Sequence, residues 1–286
     1  MTGMDMTILG CSGSLAAPDN AASGYLLRMA DGRQILMDVG SGVLARLEEH
    51  GEPGEVDVIF SHLHPDHCSD FGSLVVWQRF HPTSAATQRH ILLGPSISAV
   101  HLGRASADHP DEVEDYSDIL EFGTWQAPDP VAMPVDFSEE TRGTVYPEHR
   151  IGETRLYAAP AVHPTESYMI RVETPDEASL VYSGDTAATG HLAALATGAD
   201  VLLCEATWGE RDDGNNPPQM HLSGEEAGQA AAAAGVGRLI LTHIPPWGDP
   251  EGALRGARRY FDGPVELARP DMVVSVGTAG SAASVG

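Results

Sequence analysis

The chain has 286 residues, 42% of them hydrophobic and 20% charged, with a formal net charge of −25. That length suits one large domain or two small ones, and the apolar content excludes a wholly disordered chain. Forty-one acidic residues against 16 basic ones disfavour an extended nucleic-acid surface, and the longest apolar runs, such as residues 201–204, are too short for a membrane helix.

In chain order, residues 6–9 read as a short strand that ends in the Gly- and Ser-rich turn 10–14. Residues 25–29 and 34–39 flank Asp31-Gly32, a hairpin signal. A helical pattern over 43–49 is followed by a buried-type strand over 56–61 and a second helix over 74–80. Between 108 and 150 the composition shifts, with twelve Asp or Glu against two Arg, and Pro128, Pro130, Pro134 and Pro147 break any long periodicity, which predicts a solvated surface insertion. Strands are expected again at 154–158, 167–172, 180–183 and 201–204. An Ala- and Glu-rich helix over 225–234 has Ser223 as its N-cap, and a strand at 239–242 precedes a helix at 253–260. No sequence repeat is visible. This order predicts one α/β domain over residues 1–276, a sandwich of sheets and helices, with 277–286 as a frayed tail. Scattered Cys11, Cys68 and Cys204, and an N-terminus without a charged and apolar leader, predict a reducing, cytoplasmic setting.

The chemistry concentrates in His62-Leu63-His64-Pro65-Asp66-His67, directly after a strand. Side chains at i and i+2 of an extended chain point the same way, so His62 and His64 can grip one ion. Asp66 and His67 lie beyond a proline-marked bend and can turn toward a second. Imidazole and carboxylate donors without paired cysteines suit Zn²⁺, Mn²⁺ or Fe²⁺. His163, Asp185 and His243 each follow a strand-like run, and with the first four they make seven donors. Seven donors suffice for two divalent ions that share a carboxylate and keep positions open for water and substrate.

This pattern resembles the metallo-β-lactamase superfamily, whose His-x-His-x-Asp-His motif is matched by His62, His64, Asp66 and His67. The resemblance implies an αββα sandwich with the metals at one edge. It further implies that His62, His64 and His163 hold one ion, that Asp66, His67 and His243 hold the other, and that Asp185 bridges them. A bridging Asp points to phosphodiester chemistry and to the RNase Z-like branch. Cys204-Glu205-Ala206-Thr207 and Met220-His221-Leu222-Ser223 resemble two further motifs of that branch, which implies His221 as general acid oriented by Glu205. Asp38 resembles the branch's carboxylate behind a metal-bound imidazole, with a simple turn Asp as the rival reading. Only 22 residues separate His163 from Asp185, too few for the tRNA-binding arm of RNase Z.

The segments Leu9–Ser14, Ser61–Cys68, His163–Ser167 and Leu241–Trp247 are more closely similar to actinobacterial atypical class II cyclic-nucleotide phosphodiesterases. That similarity implies hydrolysis of 3′,5′-cyclic AMP or cyclic GMP to the 5′-nucleotide by a hydroxide generated on two ions, Zn²⁺ first among them. It also implies a homodimer and a small-molecule substrate rather than nucleic acid. Trp208 and Trp247, each just past a site segment, are candidates to stack on the base, and Thr165 and Ser167 lie near His163 as hydroxyl donors. The alternatives are an RNA 3′-end endonuclease, another small-ester hydrolase (a 2′,3′-cyclic phosphodiesterase, lactonase or thioesterase), and a non-catalytic ligand sensor.

Overall fold

The computed structural model describes residues 3–127 and 145–277. One sheet contains β1 (Met4–Gly10), β2 (Gly24–Met29), β3 (Gln34–Met37), β4 (Val56–Ile59), β5 (His90–Gly94), β6 (Leu120–Thr124) and β14 (Val273–Val276). Their order is β14-β1-β2-β3-β4-β5-β6. The other contains β7 (Glu148–Ile151), β8 (Thr154–Pro160), β9 (Tyr168–Glu173), β10 (Ser179–Tyr182), β11 (Val201–Glu205), β12 (Leu239–Thr242) and β13 (Val265–Leu267). Their order is β13-β12-β11-β10-β9-β8-β7.

The two sheets share one plan. Pairing is antiparallel from β14 to β3 and parallel from β3 to β6. It is likewise antiparallel from β7 to β10 and parallel from β10 to β13. Strands β1 to β6 therefore correspond to β8 to β13, a duplication that no sequence repeat announces.

Strand alternation builds three layers of core. Met4, Met6 and Ile8 of β1, Tyr25 and Leu27 of β2, and Leu180 and Tyr182 of β10 point between the sheets. Their neighbours Leu9, Leu26 and Leu36 face outward under α1 (Val43–His50), α3 (Phe71–Phe80) and α4 (Ser98–Ser106). On the far side Val181, Leu202 and Leu241 lie under α5 (Gly190–Leu195), α6 (Gly224–Ala234) and α7 (Pro250–Ala257). Strands covered on both faces read as near-continuous apolar runs, which is why 201–204 and 239–242 were legible. The molecule is thus the αββα sandwich expected. Among the described residues no helix is long and apolar enough to cross a membrane.

Several expectations change in detail. Ser223 does cap α6, through a complete capping box with Glu226. The acidic stretch from 108 is not simply a solvated insertion. Its residues Tyr116, Ile119, Leu120 and Trp125 are buried, and β6 extends the parallel run beside β5. Arg79 of α3 holds this stretch through Glu114, Asp118 and the Asp115 carbonyl. Charge on the solvent face masked the inward residues. Residues 128–144 of that stretch, and 278–286 of the expected tail, lie outside the described residues.

Candidate metal centre

Parallel strands deliver their C-terminal ends to one edge of the sandwich, and the polar residues gather there. After β4 the chain leaves the sheet through Phe60 and Ser61 to His62 and His64. Pro65 then starts the single-turn helix α2 (Pro65–Cys68), which turns Asp66 and His67 inward. Backbone bonds from Ser23 N to Asp66 O and from Val39 N to His67 O pin that turn to the first sheet. The second sheet supplies His163 beyond β8, Asp185 beyond β10 and His243 directly after β12. Gly184, before Asp185, sits at φ 53°, and a Cβ there would lie 2.9 Å from Ser61 Cβ. Only glycine suits that left-handed, crowded position.

The seven sequence-predicted donors come together as two groups. His62, His64, His163 and Asp185 form one, and Asp66, His67, Asp185 and His243 the other, with the donor atoms of each group within 4.8 Å of one another. In the first, His64 Nδ1 lies 3.2 Å from His62 Nε2 and 3.1 Å from His163 Nε2, and Asp185 Oδ2 lies 3.6 Å from His62 Nε2. In the second, His243 Nε2 lies 3.2 Å from His67 Nε2, 3.1 Å from Asp66 Oδ2 and 3.3 Å from Asp185 Oδ1. Asp185 thus turns one oxygen to each group.

These spacings fit a cation. Bonds of about 2.0–2.1 Å in a tetrahedron separate adjacent donors by roughly 3.3 Å. Asp185 Oδ1 is buried and accepts no hydrogen bond. A buried carboxylate oxygen without a proton donor needs a positive charge nearby. Burial, then the neighbouring imidazoles, holds His62 well below the usual histidine range, so it is a neutral donor. Burial would raise Asp185, but His243 and then His67 outweigh it and keep the carboxyl well below its usual range.

Around the donors sits a second set of polar groups. Asp38, fully buried at φ 58°, accepts from His67 Nδ1 at 2.8 Å, Tyr182 OH at 2.9 Å, Ser61 N at 2.8 Å and Ser61 Oγ at 2.7 Å. It holds an imidazole in place, so the simple-turn reading gives way. His163 Nδ1 donates to Met220 O at 2.8 Å. Thr207 donates to Glu205 Oε2 at 2.8 Å and lies 3.0 Å from His243 Nδ1.

His221 and Glu205 pair at the rim, with Nδ1 3.1 Å from Oε1 and 3.9 Å from Asp185 Oδ2. Burial lowers the imidazole's pKa, but Glu205 and then Asp185 and Asp66 raise it further, to about 9. Trp208 meets the His221 ring edge-on at 5.0 Å, whereas Trp247 is 69% exposed. Ser167 is buried with its Oγ unpartnered, and Thr165 is half-buried. Sequence reasoning assigned nothing to Ser61, Thr207 or Tyr182. The first two lie inside motif segments, which was a signal; Tyr182 gave none, because its partner is 144 residues away.

Residues 33–244 match the family model described as beta-lactamase superfamily domain. An uncharacterised protein of Mycobacterium leprae is 45% identical over 260 residues, covering 91% of this chain and 84% of the relative. Ribonuclease Z of Mycobacterium marinum is 31% identical over 261 residues, covering 85% and 87%. The crystal structure of the metallo-β-lactamase fold protein YhfI from Bacillus subtilis superposes with a TM-score of 0.77 at 26% identity, covering 95% of this chain and 99% of that one.

Proposed function

Because the chain belongs to the metallo-β-lactamase superfamily, in its RNase Z-like branch, and is therefore a metallo-hydrolase, we propose that it is a phosphodiesterase that opens 3′,5′-cyclic nucleotides to 5′-nucleotides. The observation that carries this reading is the His221–Glu205 pair, 3.9 Å from the shared carboxylate of Asp185. A phosphodiester with an alkoxide leaving group needs a proton at that oxygen, and a carboxylate-held imidazole is built to give one.

His62, His64 and His163 would hold one divalent ion, Asp66, His67 and His243 the other, with Asp185 reaching both. Zn²⁺ suits this nitrogen-rich set first, and Mn²⁺ or Fe²⁺ also fit. Two such ions supply positive charge for the phosphoryl oxygens and make a water acidic enough to lose its proton near neutral pH. The residues do the rest. Glu205 Oε1 takes the Thr186 N–H at 2.7 Å as well as His221, so the carboxylate is fixed and the imidazole is aimed with it. His221 then donates from its other nitrogen to the departing 3′-oxygen. Trp208 beside His221 is the better platform for the base, since Trp247 stands out in solvent. A cyclic nucleotide is a small monoanion, which an exterior of net charge −25 tolerates far better than it would tolerate RNA.

The competing reading is RNA 3′-end cleavage, favoured by the identity to ribonuclease Z. Against it, His163 and Asp185 are joined only by β9, β10 and their short connections. The deciding assay offers 3′,5′-cyclic AMP, 2′,3′-cyclic AMP and a precursor tRNA to metal-replete protein. Clean 5′-AMP, abolished by EDTA and restored by Zn²⁺ or Mn²⁺, is the expected result. Silence on 3′,5′-cyclic AMP with cleavage of either other substrate overturns the proposal.

A further inference from the structure

Ser61 has one hydroxyl proton and two claimants for it. Its Oγ lies 2.7 Å from Asp38 Oδ2 and 3.1 Å from His62 Nδ1. A carboxylate only accepts, so the proton belongs to Asp38, and the Ser61 oxygen is left to accept from a proton on His62 Nδ1. The reverse assignment would set two oxygens 2.7 Å apart with no proton between them. With Nδ1 protonated, His62 turns the lone pair of Nε2 toward His64, His163 and Asp185.

Asp38 Oδ2 also receives the Nδ1 proton of His67 at 2.8 Å, which frees His67 Nε2 for the group of Asp66, Asp185 and His243. We infer that Ser61 is a positioning residue that extends the hold of Asp38 from one donor group to the other, so that one buried carboxylate sets the tautomer of a histidine in each. The serine's backbone is pinned. Its N–H donates to Asp38 Oδ1, its carbonyl accepts from Tyr168 N at 2.9 Å, and Gly184 closes over its Cβ. Ser61 is fully buried.

This inference rests on the two-ion reading of the site, and the test separates the two. Metal-free wild type, Ser61→Ala and Tyr182→Phe are titrated with Zn²⁺ against a chromophoric chelator. Histidine ring ¹H–¹⁵N correlations identify tautomers and show which group fills at each step. Tyr182→Phe is the control: it removes another donor to Asp38 but leaves His62 untouched. In Ser61→Ala the group of His62, His64 and His163 should lose about 10- to 100-fold in affinity, the usual scale for loss of a ligand's outer partner. The other group should keep its affinity, and in the metal-free variant His62 should show both tautomers. Tyr182→Phe should show no selective loss at the His62 group. Equal weakening of both groups by Ser61→Ala, or no weakening, or a His62 still protonated only at Nδ1 in the metal-free variant, overturns the inference. Failure of the wild type to take up two ions overturns the two-ion reading instead.

Discussion

The role of His221 can be tested through the leaving group. The imidazole is held by Glu205 at 3.1 Å and its pKa is raised to about 9. In metal-free protein at pH 7 such a group is mostly protonated, against roughly a quarter for an unperturbed histidine. On the proposed mechanism that proton is the one an alkoxide requires. His221→Ala should retain both ions and lose about 10²- to 10⁴-fold in kcat on 3′,5′-cyclic AMP, or about 2.7–5.4 kcal/mol of barrier. The same variant is assayed on bis(p-nitrophenyl) phosphate, whose leaving phenolate needs no proton. There the loss should be at least tenfold smaller, because only the proton transfer has been removed. Metal content by elemental analysis and thermal melting accompany both assays. Equal losses on the two substrates, with both ions present, would refute general-acid catalysis and leave His221 a binding or structural group.

Glu205→Gln removes the charge that raises His221, so in metal-free protein its titration by NMR should fall from about 9 toward the ordinary 6.5. An unchanged midpoint would sink the pairing. Asp185→Ala deletes the one donor common to both groups, so both ions should bind far more weakly; full double occupancy would contradict a shared ligand. Asp57 is a structural case, away from the metal site. Burial would raise its pKa, but His90, the Ile91 N–H and Arg33 lower it below the usual carboxylate range. A depressed pKa contributes stability above the unfolded value near 3.8 and loses it as pH falls through the lowered folded value. Asp57→Asn should therefore cost about 1–3 kcal/mol in denaturant melts at pH 7, and the gap to wild type should close below about pH 4. A gap independent of pH would refute the assignment.

What the sequence disclosed follows the range of the forces involved. His62, His64, Asp66 and His67 were legible because a strand followed by a proline turn is local, and so is the pattern of donors along it. His163, Asp185 and His243 were legible only as polar residues placed after apolar runs. Their convergence is a property of parallel strands that all end at one edge. The reach of Asp38 across 144 residues to Tyr182 left no local trace. Nor did β6, whose inward Leu120 lies in an acidic stretch with Glu121 exposed beside it. Charged residues on one face of a strand conceal a buried partner face from any reading of composition.

The duplicated plan of the sheets sharpens the assignment of the shared ligand. Asp38 comes directly after β3, and Asp185 follows the corresponding strand β10 by three residues. Both carboxylates are buried at the same edge of the sandwich and both meet the His67 imidazole, yet their surroundings are opposite. Four N–H or O–H groups donate to Asp38, which leaves its charge balanced by protons. Asp185 Oδ1 receives none and has two imidazole Nε2 atoms at 3.3 Å. If His67 Nε2 carried a proton to serve Asp185, that nitrogen could not also serve as a donor to an ion. If neither Nε2 carries one, the oxygen and both nitrogens present lone pairs to one another, which a cation between them makes tolerable. On the proposed two-ion reading, the protons that saturate Asp38 are therefore part of what reserves Asp185 for metal. One half of the fold would then supply the carboxylate that orients the ligands, and the other the carboxylate that becomes one.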